Sequence, residues 1–439
     1  MSNRSMRTRG FRGLAVATAI LLLVFVPSRS CGQQPANGAA ARVGVIPDTH
    51  GAIAEILLHY DPDVSVELEP VYRDLFAALP DDVRVKVLCP TAAAVDDFIS
   101  SWESVLEERV ADVINVGLPI SVWARDRCIA RQPLDLRSRS ATFVPVPPWS
   151  YEQQKHNDLL LQDILHEARL APGVLDSPLH IEGGNVVSNA RHVFFGANVF
   201  SENGHVSDSR LTTELERLFG RAYLSVGDEY GDVPWCHIDM YLTPISEDTV
   251  LVASPRFAHM LLSADDDSFD VPNCWDELGG TACPSDWLQE RFDSVAALAQ
   301  QHGYKVRRVP VITDVAKEWM VTYNNVLLDQ RRGERVVYMP VYGVPPLDHV
   351  AAAIYRGLGF EVHTVDVSEL YERGGALRCV ANVTQRRQVL GPPARTVSGG
   401  RLRVIDLAEA QAFDGILDRS RHRLASRSQR NAWGQKSWP

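Results

Sequence analysis

Apolar and polar positions along the chain follow two rhythms that take turns. A period-two or continuous apolar rhythm predicts strands over residues 84–88, 113–122, 142–145, 186–199, 240–252, 306–311, 335–341 and 361–367. A helical rhythm predicts helices over 91–110, 153–170, 209–219, 284–302 and 347–357. Pro90 stands at an entry suited to the first helix, and Gly303 and Gly357 stand where helix ends favour a left-handed residue. Strands that alternate with helices predict the α/β class.

The rhythm fails at both ends. Arg4, Arg7, Arg9 and Arg12 precede an apolar run over 14–26, followed by Pro27-Ser28-Arg29-Ser30-Cys31. A basic front, a short apolar run and small residues behind it describe an export signal over 1–31. Thirteen residues of helix reach about 20 Å, short of a hydrocarbon core of about 30 Å, so no transmembrane anchor is expected. Cys31 is a candidate site of a lipid anchor, although Ser28 and Arg29 fit a lipoprotein signal poorly. Residues 32–42 read as a low-complexity linker and 43–387 as the folded body. In the extension 388–439, residues 402–407 are one more candidate strand and 408–417 a short helix, and the remainder, rich in Arg, Ser and Gln, reads as partly disordered.

Composition changes this picture little. With 45% hydrophobic and 23% charged residues, the chain has enough apolar surface for a large core. Loss of residues 1–31 takes away five arginines and no acid, moving the formal charge from −11 to −16. So acidic a protein disfavours nucleic acid and suits a cationic partner. Of the seven cysteines, Cys274 and Cys283 flank a polar stretch and are the favoured disulfide pair, while Cys89, Cys128 and Cys236 read as buried thiols. No Cys-x-x-Cys pair and no His-Glu-x-x-His occurs, so no metal site is called.

Five polar segments interrupt the apolar rhythm: Trp123-Ala-Arg-Asp126, Glu182-Gly-Gly-Asn185, His237-Ile-Asp239, Tyr323-Asn-Asn325 and Gly374-Gly-Ala-Leu-Arg-Cys379. They recur at steps of about 55 residues, with one longer step, the spacing a module repeated around an axis produces. Each has an ordinary reading by itself. Cys379 among Leu377, Val380 and Val383 reads as core, Arg125-Asp126 as a surface turn, and Tyr323-Asn-Asn325 as a plain turn. His237 and Asp239 are two apart, so a strand would point both to one face.

Together the segments resemble the guanidine-modifying enzymes, the superfamily of arginine, agmatine and peptidylarginine deiminases, over about residues 43–385. The resemblance implies a five-bladed, pseudo-symmetric α/β propeller of ββαβ modules, with the active site in its central channel. It implies Cys379 as nucleophile, His237 as general acid and base, and Glu182 as the carboxylate that orients the imidazole. Asp126 and Asp239 would clamp the planar guanidinium, with Trp123, Asn185 and Asn325 around the substrate. Two positions depart from the pattern: Arg378 stands where a His often precedes the nucleophile, and Cys128-Ile129, following Arg127, replace the usual Gly-Pro continuation.

The implied activity is hydrolysis of a guanidinium to a ureido product and ammonia through a cysteine thiouronium adduct, a reaction on C–N bonds of linear amidines that needs no cofactor. The export signal favours peptidylarginine or arginine-type substrates outside the cytoplasm, secreted or periplasmic. Agmatine deiminase, an amidinotransferase that reuses the same adduct, and a non-catalytic binding module of the same fold are the alternatives.

Overall fold

The structure, a computed structural model, describes residues 42–136, 141–146, 165–166, 168–170, 173–227, 237–264, 285–314, 319–389 and 400–408. The expected export signal, the expected Cys274–Cys283 disulfide pair, Cys31, Cys236, most of the helix expected over 153–170 and the end of the C-terminal extension lie outside those residues.

The described strands are β1 (Val43–Val45), β2 (Ala52–His59), β3 (Arg84–Cys89), β4 (Val110–Asn115), β5 (Cys128–Pro133), β6 (Thr142–Pro145), β7 (Val186–Ser188), β8 (Val193–Gly196) and β9 (Tyr223–Val226). They continue with β10 (Leu242–Pro244), β11 (Thr249–Ser254), β12 (Lys305–Asp314), β13 (Trp319–Thr322), β14 (Leu327–Arg331), β15 (Glu334–Val341), β16 (Glu361–Asp366), β17 (Ala381–Arg387) and β18 (Arg401–Asp406). The helices are α1 (Ser65–Ala78), α2 (Ala92–Leu106), α3 (Asn198–Glu202), α4 (Asp208–Phe219), α5 (Pro255–Ala264), α6 (Ser285–Gln301), α7 (Pro345–Gly357) and α8 (Leu377–Val380).

These strands form five sheets, and one motif recurs in all of them. An antiparallel pair is followed by a parallel neighbour: β7–β8 then β9, β10–β11 then β12, β14–β15 then β16. The pair β5–β6 is followed by a parallel bridge from Phe143 to Val174. In the last sheet β17, from the C-terminal half, pairs antiparallel with β2, which pairs in parallel with β3. The first and last parts of the folded body therefore share one sheet, and β18 extends it on β4. This is the mixed α/β architecture that the alternating rhythm predicts.

Some predicted elements divide or shift. The run expected over 186–199 is the hairpin β7–β8, turned by Asn189, whose side chain accepts from the backbone N–H groups of Arg191 and His192 at 3.0 and 2.7 Å. Gly303 has φ +82° and closes α6, with Gly303 N–H donating to Gln300 and Tyr304 N–H to Ala299. At the end of α7 the left-handed residue is Gly359, φ +84°, and not Gly357; Gly359 N–H donates to Arg356 and Phe360 N–H to Tyr355. Helix α1 contains Pro70, which reads as a breaker in sequence. Its apolar face of Leu68, Val71, Tyr72, Leu75 and Phe76 is fully buried, and that burial outweighs the roughly 3 kcal/mol a proline costs in a helix interior.

Candidate active site

Each of the five polar segments ends within five residues of the strand that opens an antiparallel pair. Asp126 precedes β5, Glu182 precedes β7, His237 and Asp239 precede β10, Asn325 precedes β14, and Cys379 precedes β17. The recurrence explains how residues far apart in sequence meet. One structural position, repeated sheet by sheet, faces one place.

The segments are tight turns. Gly183–Asn185 and Ile238–Met240 are single turns of 3-10 helix, and Cys379 lies in the one-turn helix α8. His237 and Asp239 therefore do not lie on a strand. His237 is extended and caps the turn, Asp239 is inside it, and Ile238 between them is fully buried. Over three residues, polar–apolar–polar fits either a strand or a turn, so the rhythm cannot tell them apart.

His237 bridges two carboxylates. Its Nε2 is 2.7 Å from Glu182 Oε2, and its Nδ1 is 3.5 Å from Asp126 Oδ1. Burial alone would push the imidazole pKa down; Asp126, the Glu182 hydrogen bond and Asp239 outweigh it and raise it to about 10. At neutral pH the ring is an imidazolium. Burial pushes Glu182 up, but its hydrogen bond and ion pair with His237, and the Arg127 charge, bring its pKa below the usual value. Arg127 Nη2 is 3.4 Å from Glu182 Oε1. Asp126 also accepts from the Gly184 backbone N–H at 3.2 Å, and burial holds its pKa above the ordinary value.

The Cys379 sulfur and Asp239 lie within electrostatic reach of Asp126. Asn325 Nδ2 is 3.5 Å from Cys379 Sγ, and Asn325 Oδ1 accepts from the Arg378 backbone N–H at 2.7 Å. Burial, then Asp239 and Asp126, push the Cys379 thiol well above its usual pKa, so it rests as a thiol at neutral pH. Asp239 is 1% exposed, and neither of its oxygens accepts a hydrogen bond among the described residues. Burial raises it to about 6. A buried carboxylate with both oxygens unused is costly unless a cation or donor completes it.

The structure thus brings together six of the residues expected from sequence: Cys379, His237, Glu182, Asp126, Asp239 and Asn325. Trp123 is half-buried and packs on the double glycine; a Cβ on Gly375 would meet its ring at 2.4 Å. Asn185 is turned elsewhere: its Nδ2 donates to Asn198 Oδ1 at 2.9 Å and its Oδ1 accepts from Gly196 N–H at 3.2 Å, which fixes the turn to β8.

Three participants escaped the sequence reading. Arg125, 7% exposed, ties site segments together. Its backbone N–H donates to Cys379 O at 3.0 Å, Nη1 to Asn382 Oδ1 at 3.2 Å and Nη2 to Val186 O at 2.8 Å. Arg127 reaches Glu182, and Asp48 accepts from Arg378 Nη2 at 2.8 Å. The available signal was two arginines flanking Asp126 directly before the apolar start of β5, where a solvated turn would not be followed by buried residues. Of the expected buried thiols, Cys89 and Cys128 are free and buried, as is Cys379.

A mixed α/β fold thus gathers a buried thiol, an imidazole and acidic side chains of the kinds that guanidinium chemistry uses. Residues 59–384, well over half the chain, match the family model described as Porphyromonas-type peptidyl-arginine deiminase, and the chain belongs to that family. It is a hydrolase of C–N bonds in guanidino groups, a deiminase of the arginine type. No curated protein matches the chain significantly. The fold is similar to that of an agmatine deiminase of C. jejuni, at 14% identity and TM-score 0.55, covering 82% of this chain and 100% of that one. An agmatine deiminase of Enterococcus faecalis aligns at 13% identity and TM-score 0.57, covering 80% and 99%. A structure described as a putative peptidyl-arginine deiminase aligns at 16% identity and TM-score 0.53, covering 80% and 100%.

Proposed function

We propose that this chain is an exported deiminase that hydrolyses the guanidinium of peptidylarginine, or of arginine-type compounds, to a ureido group and ammonia. The observation that carries the reading is His237 held between Glu182 and Asp126 while the Asp126 loop is bonded to the backbone of Cys379 through Arg125. The five sheets are read as blades of a pseudo-fivefold propeller, their recurrent pre-strand turns lining one central channel.

In the proposed cycle the substrate cation docks between Asp126 and Asp239, whose flat carboxylates match its donors. The arriving positive charge favours loss of the Cys379 proton to solvent, and the thiolate adds to the central guanidinium carbon. His237, resting as imidazolium, gives its proton to the departing nitrogen. The C–N bond breaks, ammonia leaves, and an S-linked thiouronium remains. The neutral imidazole, held by Glu182, then takes a proton from water. The hydroxide adds to the same carbon, the C–S bond breaks, and the ureido product passes its extra proton to the departing thiolate, which restores the resting thiol. The net reaction consumes one water and releases one ammonia.

The export signal supports a substrate outside the cytoplasm, and agmatine deiminases among the similar folds keep a small-molecule substrate in view. Mass spectrometry of peptides, free arginine and agmatine incubated with the protein tests the reading. An increase of about one mass unit at arginine, with matching ammonia, is expected from replacement of an NH by O. No shift on any of the three would overturn it.

A further inference from the structure

Arg378 immediately precedes the proposed nucleophile, and its charge has a specific arrangement. It is buried, and its guanidinium bridges two carboxylates from different parts of the chain. Nη2 donates to Asp48 Oδ1 at 2.8 Å, and Nε lies 3.4 Å from Asp239 Oδ2. Its backbone N–H is fixed on Asn325. The two contacts are unequal. That to Asp48 is a hydrogen bond, and Asp48 Oδ2 in turn accepts from Ser188 N–H at 2.8 Å. That to Asp239 is an ion pair without a hydrogen bond: Arg378 Nε and both Asp239 oxygens have no hydrogen-bond partner among the described residues.

We infer that Arg378 is the positioning residue for guanidinium binding, anchored on Asp48 so that its charge keeps Asp239 ionised while leaving both Asp239 oxygens free for the substrate. This rests on the deiminase reading of the same site. A hydrogen bond from Arg378 would consume an acceptor that the substrate needs; no cation at all would leave a buried carboxylate that prefers to take up a proton. A guanidinium held slightly out of hydrogen-bond geometry meets both requirements. Asp48 balances the positive charge of Arg378, so Asp239 keeps its attraction for a second cation. The groups that face Asp239 are Arg378 and the Cys379 thiol from the α8 turn, His237 from its own turn, and Asp126 and Arg125 from the loop before β5. Burial already lifts Asp239 to about 6, and Arg378 is the largest influence pulling it down. Without Arg378 the group would hold a proton more tightly, and hence be a poorer clamp, at neutral pH.

The test is calorimetric titration of agmatine and of N-acetyl-arginine amide into the Cys379→Ser protein, with and without Arg378→Met, across the neutral and alkaline range. Removal of a neighbouring opposite charge raises a carboxylate pKa by about 1–3 units, so Arg378→Met is expected to weaken binding about tenfold or more near neutrality and to regain most of it by roughly pH 9. Arg378→Lys, which keeps the charge, should restore neutral-pH binding. If Arg378→Met does not fold, Arg378→Gln carries the same comparison. Equal weakening at every pH, unchanged binding, or failure of the Cys379→Ser protein to bind either probe would overturn the inference. Failure of the deiminase reading shows separately, as absence of ammonia release by the unsubstituted protein whatever the titrations give.

Discussion

The Cα of Gly184 lies against the His237 ring so closely that a Cβ there would sit 2.5 Å from Nδ1 and 2.6 Å from Asp126 Oδ1. The glycine is where it is because the backbone must pass between an imidazole and a carboxylate, while its N–H donates to that carboxylate. Gly184→Ala is therefore expected to push His237 away from Asp126. Catalysis should fall by about 100-fold or more, the lower end of the range for loss of an aligned acid–base group, while overpacking costs about 1–3 kcal/mol of stability. Ammonia release and denaturant melts measure the two; full activity in the variant would mean that the ring geometry is not used.

Cys379 is buried, with its thiol pushed above the usual range by burial and by two carboxylates. A neutral alkylating agent should therefore react slowly at neutral pH. A cationic 2-chloroacetamidine brings its own charge to Asp126 and Asp239 and should label this residue faster by about tenfold or more, the effect of a modest electrostatic gain. Labelling rates followed by peptide mapping decide this. Cys379→Ser should lose both the label and turnover while melting like the parent protein.

Asp126→Asn keeps the shape and the acceptor for Gly184 N–H but removes the charge beside His237. The expected loss is roughly 1.5–3 kcal/mol of transition-state stabilisation, the scale of a hydrogen bond to a charged group. The kcat/KM for arginine substrates reads it. The imidazole pKa should also drop, since Asp126 is the strongest of the charges that raise it.

His237 also makes a prediction about stability. Its folded pKa, about 10, lies above the ordinary 6.5. A group that binds its proton more tightly when folded stabilises fully below its unfolded pKa, and the contribution fades as pH rises through the folded value. Unfolding free energy should therefore decline between about pH 7 and pH 10, and more steeply in the parent than in His237→Gln. Urea melts across that window, compared between the two proteins, isolate the histidine from other alkaline titrations; parallel curves would refute the assignment.

Much of the site was legible because its chemistry uses side chains that are out of place in an apolar rhythm. Cys379 was the exception: in composition its neighbourhood is core, and only the double glycine and resemblance singled it out. Arg125, Arg127 and Asp48 were not legible. An arginine beside an aspartate reads as a solvated pair unless the folded neighbours are known, and Asp48 acts on Arg378 from 330 residues away. Helix α1 was not among the expected helices; it contains Pro70, and a local rule about proline cannot weigh the burial that overrides it.

From sequence alone came the α/β alternation, most strand positions and half of the described helices, and the residue types suited to guanidinium chemistry, since period and side-chain chemistry are local properties. Tertiary structure alone decided that those residues occupy the same pre-strand turn in five sheets, that β17 returns to pair with β2, and that Arg378 lies between Asp48 and Asp239. These depend on long-range pairing and on burial, which set distances and shift pKa values through desolvation, and neither quantity is present in the order of residues along the chain.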